Sequence, residues 1–154
     1  MPQDILIQGG VLVLPDDLLR ADMLVRDGCI AQIGCNLNVP QGGQVVDATD
    51  CLVMPGIIDA HTHIALDTGI YQTADDWFVG TRAAACGGVT TVIDFATQFP
   101  GQTLRQAVMA RLEEARPAVI DYALHVMVTQ VPPGQEGSLA DLVDLGTPSM
   151  KLYT

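Results

Sequence analysis

Two histidines one residue apart, His61 and His63, close the apolar run Leu52-Val53-Met54-Pro55-Gly56-Ile57-Ile58-Asp59-Ala60. If that run is a buried strand, side-chain alternation sends both imidazoles to one face at its end, where they can share a cation. Asp59 precedes them and can orient a metal-bound ligand from behind. A His-x-His pair alone is a weak signal, but one that follows a strand and leads into a loop is a candidate metal site. Lys151 is the other residue of chemical interest. It is one of only seven basic residues and lies inside the apolar stretch Met150-Lys151-Leu152-Tyr153, an unusual place for a solvated ammonium.

The elements that must position these groups change character along the chain. From Asp4 to Val53 the pattern is of short strands: Ile5–Ile7, Val11–Leu14, Met23–Val25, Cys29–Ile33 and Val45–Val46. Asp27-Gly28 between two of them is a strong hairpin signal, so this part is predicted as a small antiparallel sheet. From Leu52 strands alternate with helices. Thr73-Ala74-Asp75-Asp76 predicts a helix start with acidic residues in the first turn, the helix running to Gly87-Gly88; a strand follows over Val89–Ala96. Thr103 with Gln106 forms a capping-box pattern for a second helix, closed by Pro117, before a strand over Val119–Thr129. A third helix opens at Ser138, and a fourth strand begins at Ser149.

This alternation implies parallel βαβ units. The fold class expected is α/β: the first strands of a closed (β/α)8 barrel over residues 53–154, preceded by a small antiparallel β segment over residues 1–52. Such a barrel takes about 250 residues, so the chain is read as a piece of one that ends in mid-strand.

Bulk properties bound the function. The chain has 154 residues, 49% hydrophobic and 16% charged, which describes a globular interior. Its net charge of −11 disfavours nucleic acid and anionic membrane surfaces as partners. Asp4 in place of a basic leader, and apolar runs too short to cross a bilayer, predict a soluble cytoplasmic protein. The four cysteines, Cys29, Cys35, Cys51 and Cys86, show no paired short spacing and are expected to be reduced and buried.

Three blocks in this order resemble the cyclic amidohydrolases of the dihydropyrimidinase and hydantoinase type: Pro55 to His63, Thr73 to Gly88, and Ser149 to Tyr153. The resemblance runs the length of the chain as the N-terminal part of such an enzyme. It implies a metal-dependent TIM barrel joined to a small β-sandwich, and a dimer or tetramer in full-length form. It also implies two zinc ions, with His61 and His63 as metal ligands and Lys151, carbamylated by carbon dioxide, as the catalytic bridge between them. The activity implied is opening of the C–N bond of a small cyclic amide, a dihydropyrimidine or hydantoin, by a hydroxide bridging the two metals. The remaining ligands of that family, two histidines and an aspartate, have no counterpart here, so the chain alone is expected to be inactive.

The alternatives are an allantoinase or dihydroorotase, or a non-catalytic dihydropyrimidinase-like scaffold; retention of His61, His63 and Lys151 argues against the scaffold. The resemblance assigns the loop after the first barrel strand to substrate gating, with Leu66, Ile70 and Tyr71 as substrate-contacting candidates, although the same side chains would serve loop packing. Asp94, in apolar surroundings, needs a partner. Supporting a metal ligand and hydrogen bonding to loop backbone are both open to it. His125 is expected to be structural or to support the ligands from behind.

Overall fold

The computed structural model describes residues 4–131 and 136–152. The chain divides into two compact units, Met1–Pro55 and Gly56–Thr154.

The first unit holds two sheets. One has the order β5-β4-β1-β6, with β1 Ile5–Gln8, β4 Asp22–Arg26, β5 Cys29–Gly34 and β6 Gln44–Asp47; the other has the order β3-β2-β7, with β2 Val11–Val13, β3 Leu18–Arg20 and β7 Leu52–Val53. The Asp-Gly hairpin forms as predicted. Asp27 and Gly28 have φ of 50° and 76°, the mirror-image turn geometry that matches strand twist, and Arg26 pairs with Cys29. The expected purely antiparallel sheet is corrected, because β1 runs parallel to β6 and β2 parallel to β7. Strand β3 was not anticipated: all three of its residues are exposed, so no burial pattern marks it. The cysteines are free, but all four are exposed rather than buried. An apolar neighbourhood in sequence did not translate into burial, as every residue of β5 from Cys29 to Ile33 shows.

The second unit is a parallel sheet of order β11-β10-β9-β8, with β8 Ile57–Asp59, β9 Val89–Thr97, β10 Asp121–Val128 and β11 Met150–Leu152. Helix α1, Trp77–Cys86, joins β8 to β9, and α2, Leu104–Glu114, joins β9 to β10. The expected α/β alternation is present. The apolar run before the histidines is not one buried strand. It splits into β7 and β8 around Met54-Pro55-Gly56, where Pro55 has no N–H for a ladder, and Ile57, Ile58 and Asp59 are exposed.

Helix α1 starts later than expected. Asp76 is its cap, accepting from Val79 N at 2.8 Å, so the acidic pair precedes the first turn rather than occupying it. The Thr103/Gln106 capping box is formed in both directions, at 3.1 and 2.9 Å. The predicted third helix is a 3-10 turn over Glu136–Leu139 followed by the short α3, Asp141–Asp144, which has no side-chain cap. Pro132 to Gln135, and Tyr153 and Thr154 of the predicted fourth strand, lie outside the described residues.

Alternation along β9 and β10 gives the sheet two chemically distinct faces. Leu124, Val126 and Val128 pack with Ala96, Leu104, Val108 and Leu142 in a core toward α2 and α3. His125, out of phase with them, stands beside Phe95 in register, and Lys151 beside Met127.

Candidate metal centre

The ring of Phe95, 5% exposed, is the point where the candidate residues meet. Ring centroids of His61, His63 and His125 lie 4.7, 4.9 and 5.1 Å from it, and Lys151 Nζ sits 4.9 Å over its face. His61 and His63 are 5.2 Å apart, edge to face. Residues separated in sequence by as much as Lys151 is from His61 are thus collected at one aromatic floor, by a parallel sheet that brings the ends of its strands together.

His63 has the properties of a candidate metal ligand. Its Nδ1 is buried with no hydrogen-bond partner. Burial first, then the neighbouring His61, Lys151 and Arg111, lower its pKa below the ordinary imidazole value, against an upward pull from Asp94. The ring is therefore neutral near pH 7, the form that binds metals. This donor chemistry fits a divalent metal. The fit is partial, since among the described residues no group of three or more His, Cys, Asp or Glu side chains could hold an ion.

The backbone around His63 is fixed from behind. Asp94 is fully buried; its Oδ2 accepts from Thr62 Oγ1 at 3.1 Å and from Ile64 N at 2.8 Å, and Thr62 N donates to Ile93 O at 3.1 Å. Of the two alternatives for Asp94, hydrogen bonding to loop backbone is present, at Ile64 N, next to the candidate ligand His63. Asp59 accepts from His61 N at 3.2 Å, so its carboxylate orients the main chain before the pair. His125 is bonded at both nitrogens, Nδ1 to Ser149 Oγ at 2.6 Å and Nε2 to Ala60 O at 3.2 Å. A carbonyl only accepts, so Nε2 carries the proton. His125 thereby ties the residue before His61 to the residue before β11.

Leu66 is half-buried, its N–H bonded to Thr73 Oγ1 at 2.8 Å. Ile70 and Tyr71 stand 82% and 78% exposed in a loop closed by Thr68 N donating to Tyr71 O at 2.9 Å. The structure does not bring these two against the histidines by any described contact. A cavity of about 170 Å³ beside the floor is lined by Leu66, Phe95, Phe99 and Arg111, among others.

Arg111 is the residue the sequence reading missed. It ion-pairs with Asp94 at 2.6 Å and is itself buried. A signal existed: Leu104, Ala107, Val108 and Arg111 fall on one buried helical stripe, and a charged residue in phase with such a stripe requires a buried partner.

Comparison with known proteins places the chain in a family. The amidohydrolase family matches residues 52–147. D-phenylhydantoinase of Escherichia coli K12 is 40% identical over 151 residues, 97% of this chain and 33% of that protein. A solved D-hydantoinase superposes with a TM-score of 0.90 at 38% identity, over 96% of this chain and 32% of that one. The dihydropyrimidinase of Brevibacillus agri does so with a TM-score of 0.90 at 35% identity, over the same shares. The chain spans about a third of the length of these relatives.

Proposed function

That this chain belongs to the amidohydrolase family is the premise from which we propose that it contributes the N-terminal part of a hydrolase opening the C–N bond of dihydropyrimidine or hydantoin rings. The observation that carries the proposal is the convergence of His61, His63 and Lys151 on Phe95, in a chain similar along its length to hydantoinases. In this reading residues 1–52 belong to a small β-sandwich domain and residues 53–154 form the first half of a TIM barrel.

His61 and His63 would hold one zinc ion of a pair through neutral ring nitrogens, as the orphaned Nδ1 of His63 supports. Lys151 would lose a proton from its amine and add carbon dioxide, forming a C–N bond and an anionic carbamate that would help hold the metals. When bound, the two metals would supply hydroxide at neutral pH and polarise the ring carbonyl. Asp94 and Asp59 keep the histidine segment in place by their bonds to its main chain. Phe95, itself buried, would keep water from beneath the histidine rings. Leu66, Ile70 and Tyr71 lie on the loop that would meet the ring substituent. Across the reaction one water adds: the carbonyl carbon takes oxygen, the ring nitrogen takes a proton, and a carbamoyl amino acid results.

The test is ring opening of dihydrouracil and hydantoin, followed by absorbance, in zinc-loaded protein completed to the length of its relatives. His61→Ala and His63→Ala are expected to lower metal content and rate together. Turnover on allantoin or dihydroorotate instead, or full metal and unchanged rate in both variants, would overturn the reading.

A further inference from the structure

The metal reading uses Asp94 but leaves unused Arg111, the cation buried against it. Burying a guanidinium and a carboxylate is costly unless their donors and acceptors are matched, so where those bonds go is informative. Asp94 Oδ1 accepts from Arg111 Nε at 3.2 Å, Arg111 Nη2 at 2.6 Å and Phe95 N at 2.7 Å. Its Oδ2 takes Thr62 Oγ1 and Ile64 N. Arg111 Nη2 also donates to Ile64 O, Nη1 donates to Glu114 Oε2 at 2.6 Å, and the guanidinium carbon lies 4.9 Å over the Trp77 ring.

A pair that served only to join α2 to β9 would have no need of residues 62–64. Here both backbone groups of Ile64 are taken, the N–H by the carboxylate and the C=O by the guanidinium, and the residue before His63 is held by its hydroxyl. His63 is thereby suspended between two pinned residues, its ring at 27° to Phe95 and its Nδ1 unbonded. We infer that Arg111 is a positioning residue for His63: through Ile64 and Asp94 it fixes the main chain from which the imidazole projects, so the ligand is set before a cation arrives. Preorganisation of this kind raises affinity by removing the ordering cost from the binding step. Lysine cannot substitute, because a single ammonium lacks the planar fork that reaches Asp94, Ile64 O and Glu114 together. The inference rests on His63 being a metal ligand, and its test separates the two ideas.

The test uses NMR of the labelled 154-residue chain, where Phe95 imposes ring-current shifts on both His63 and His125. In Arg111→Met and Arg111→Lys the His63 ring protons are expected to lose most of their displacement while those of His125 keep theirs. Ile64 amide exchange should rise roughly tenfold relative to the amides of β10. Glu114→Gln, which removes only an exposed arm, should change neither. Titration with zinc ion alone should then show weaker binding in Arg111→Met, by roughly tenfold, and no further loss when Arg111→Met is added to His63→Ala. An unmoved His63 ring in folded Arg111→Met would overturn the inference, as would an equal loss of zinc affinity with and without His63. Should Arg111→Met not fold, Thr62→Val removes one arm of the clamp, and an unmoved His63 ring there overturns it equally. If zinc perturbs neither His61 nor His63 in the parent chain, the metal reading fails while the ring shifts still decide the role of Arg111.

Discussion

The segment carrying His63 and the strand carrying Lys151 reach the same aromatic ring by different means. His63 stands between Thr62 and Ile64, both bonded to a fully buried carboxylate that is paired with a buried guanidinium. Lys151 stands on a three-residue strand at the edge of the sheet, between Met150 and Leu152, 43% and 61% exposed. One half of the site is fixed by charge and hydrogen bonds from the sheet's far face, and the other is presented by a ladder to β10. The site so built has one arm clamped by buried charge and one carried by an edge strand among the described residues.

The difference can be broken most strongly at Asp94. Asp94→Ala leaves Arg111 buried without its carboxylate and frees Thr62 and Ile64 N, so a loss of about 3–5 kcal/mol is expected in urea denaturation. A loss of under about 1 kcal/mol would mean the pair is not what holds this arm.

Gly56→Ala tests the same arm from the strand side. A Cβ at Gly56 would lie 2.1 Å from Thr90 Oγ1 and 2.7 Å from Thr90 Cβ, so β8 or β9 must shift, at a cost of about 1–3 kcal/mol. Serine at position 90 should recover part of that loss. A Gly56→Ala chain as stable as its parent would show that the edge carrying the histidines is more yielding than its contacts indicate.

Thr103→Ala should have a smaller effect, about 1 kcal/mol, by removing the reciprocal cap of the helix that bears Arg111. The amide of Gln106 should exchange faster, and that of Ile64 much less so, because Arg111 lies two turns further along.

What was legible in the sequence follows the reach of the interactions involved. The capping box at Thr103, the Asp27-Gly28 turn and the βα alternation are local rules, and they appear as expected. His61 and His63 stood out by residue type and spacing and Lys151 by its apolar setting and the resemblance, and the structure brings all three to Phe95. The two-strand split at Pro55-Gly56 and the parallel pairings of β6 and β7 were not found, since each depends on partners far along the chain. Arg111 escaped for the same reason: its acceptors Asp94 and Ile64 lie 17 and 47 residues away, and only its phase on α2 hinted at burial.

The smallest effect is expected at Lys151. Replacing it with Met keeps the stem that covers Phe95, and the stability of this chain should change by no more than about 0.5–1 kcal/mol. The chemical state of the lysine is the sharper measurement. A carbamate is an anion that depends on nearby cations, and of the groups at Phe95 His125 is bonded at both nitrogens, which leaves two imidazoles and one amine against the roughly three protein ligands a catalytic zinc takes. Zinc binding by residues 1 to 154 should therefore be weak, and Lys151 should remain an amine. Intact mass under non-denaturing conditions, with metal analysis of the same sample, reads both. A chain that holds two zinc ions and gains the mass of one carbon dioxide, lost in Lys151→Met, would show that the edge-strand arm is as fully formed as the clamped one.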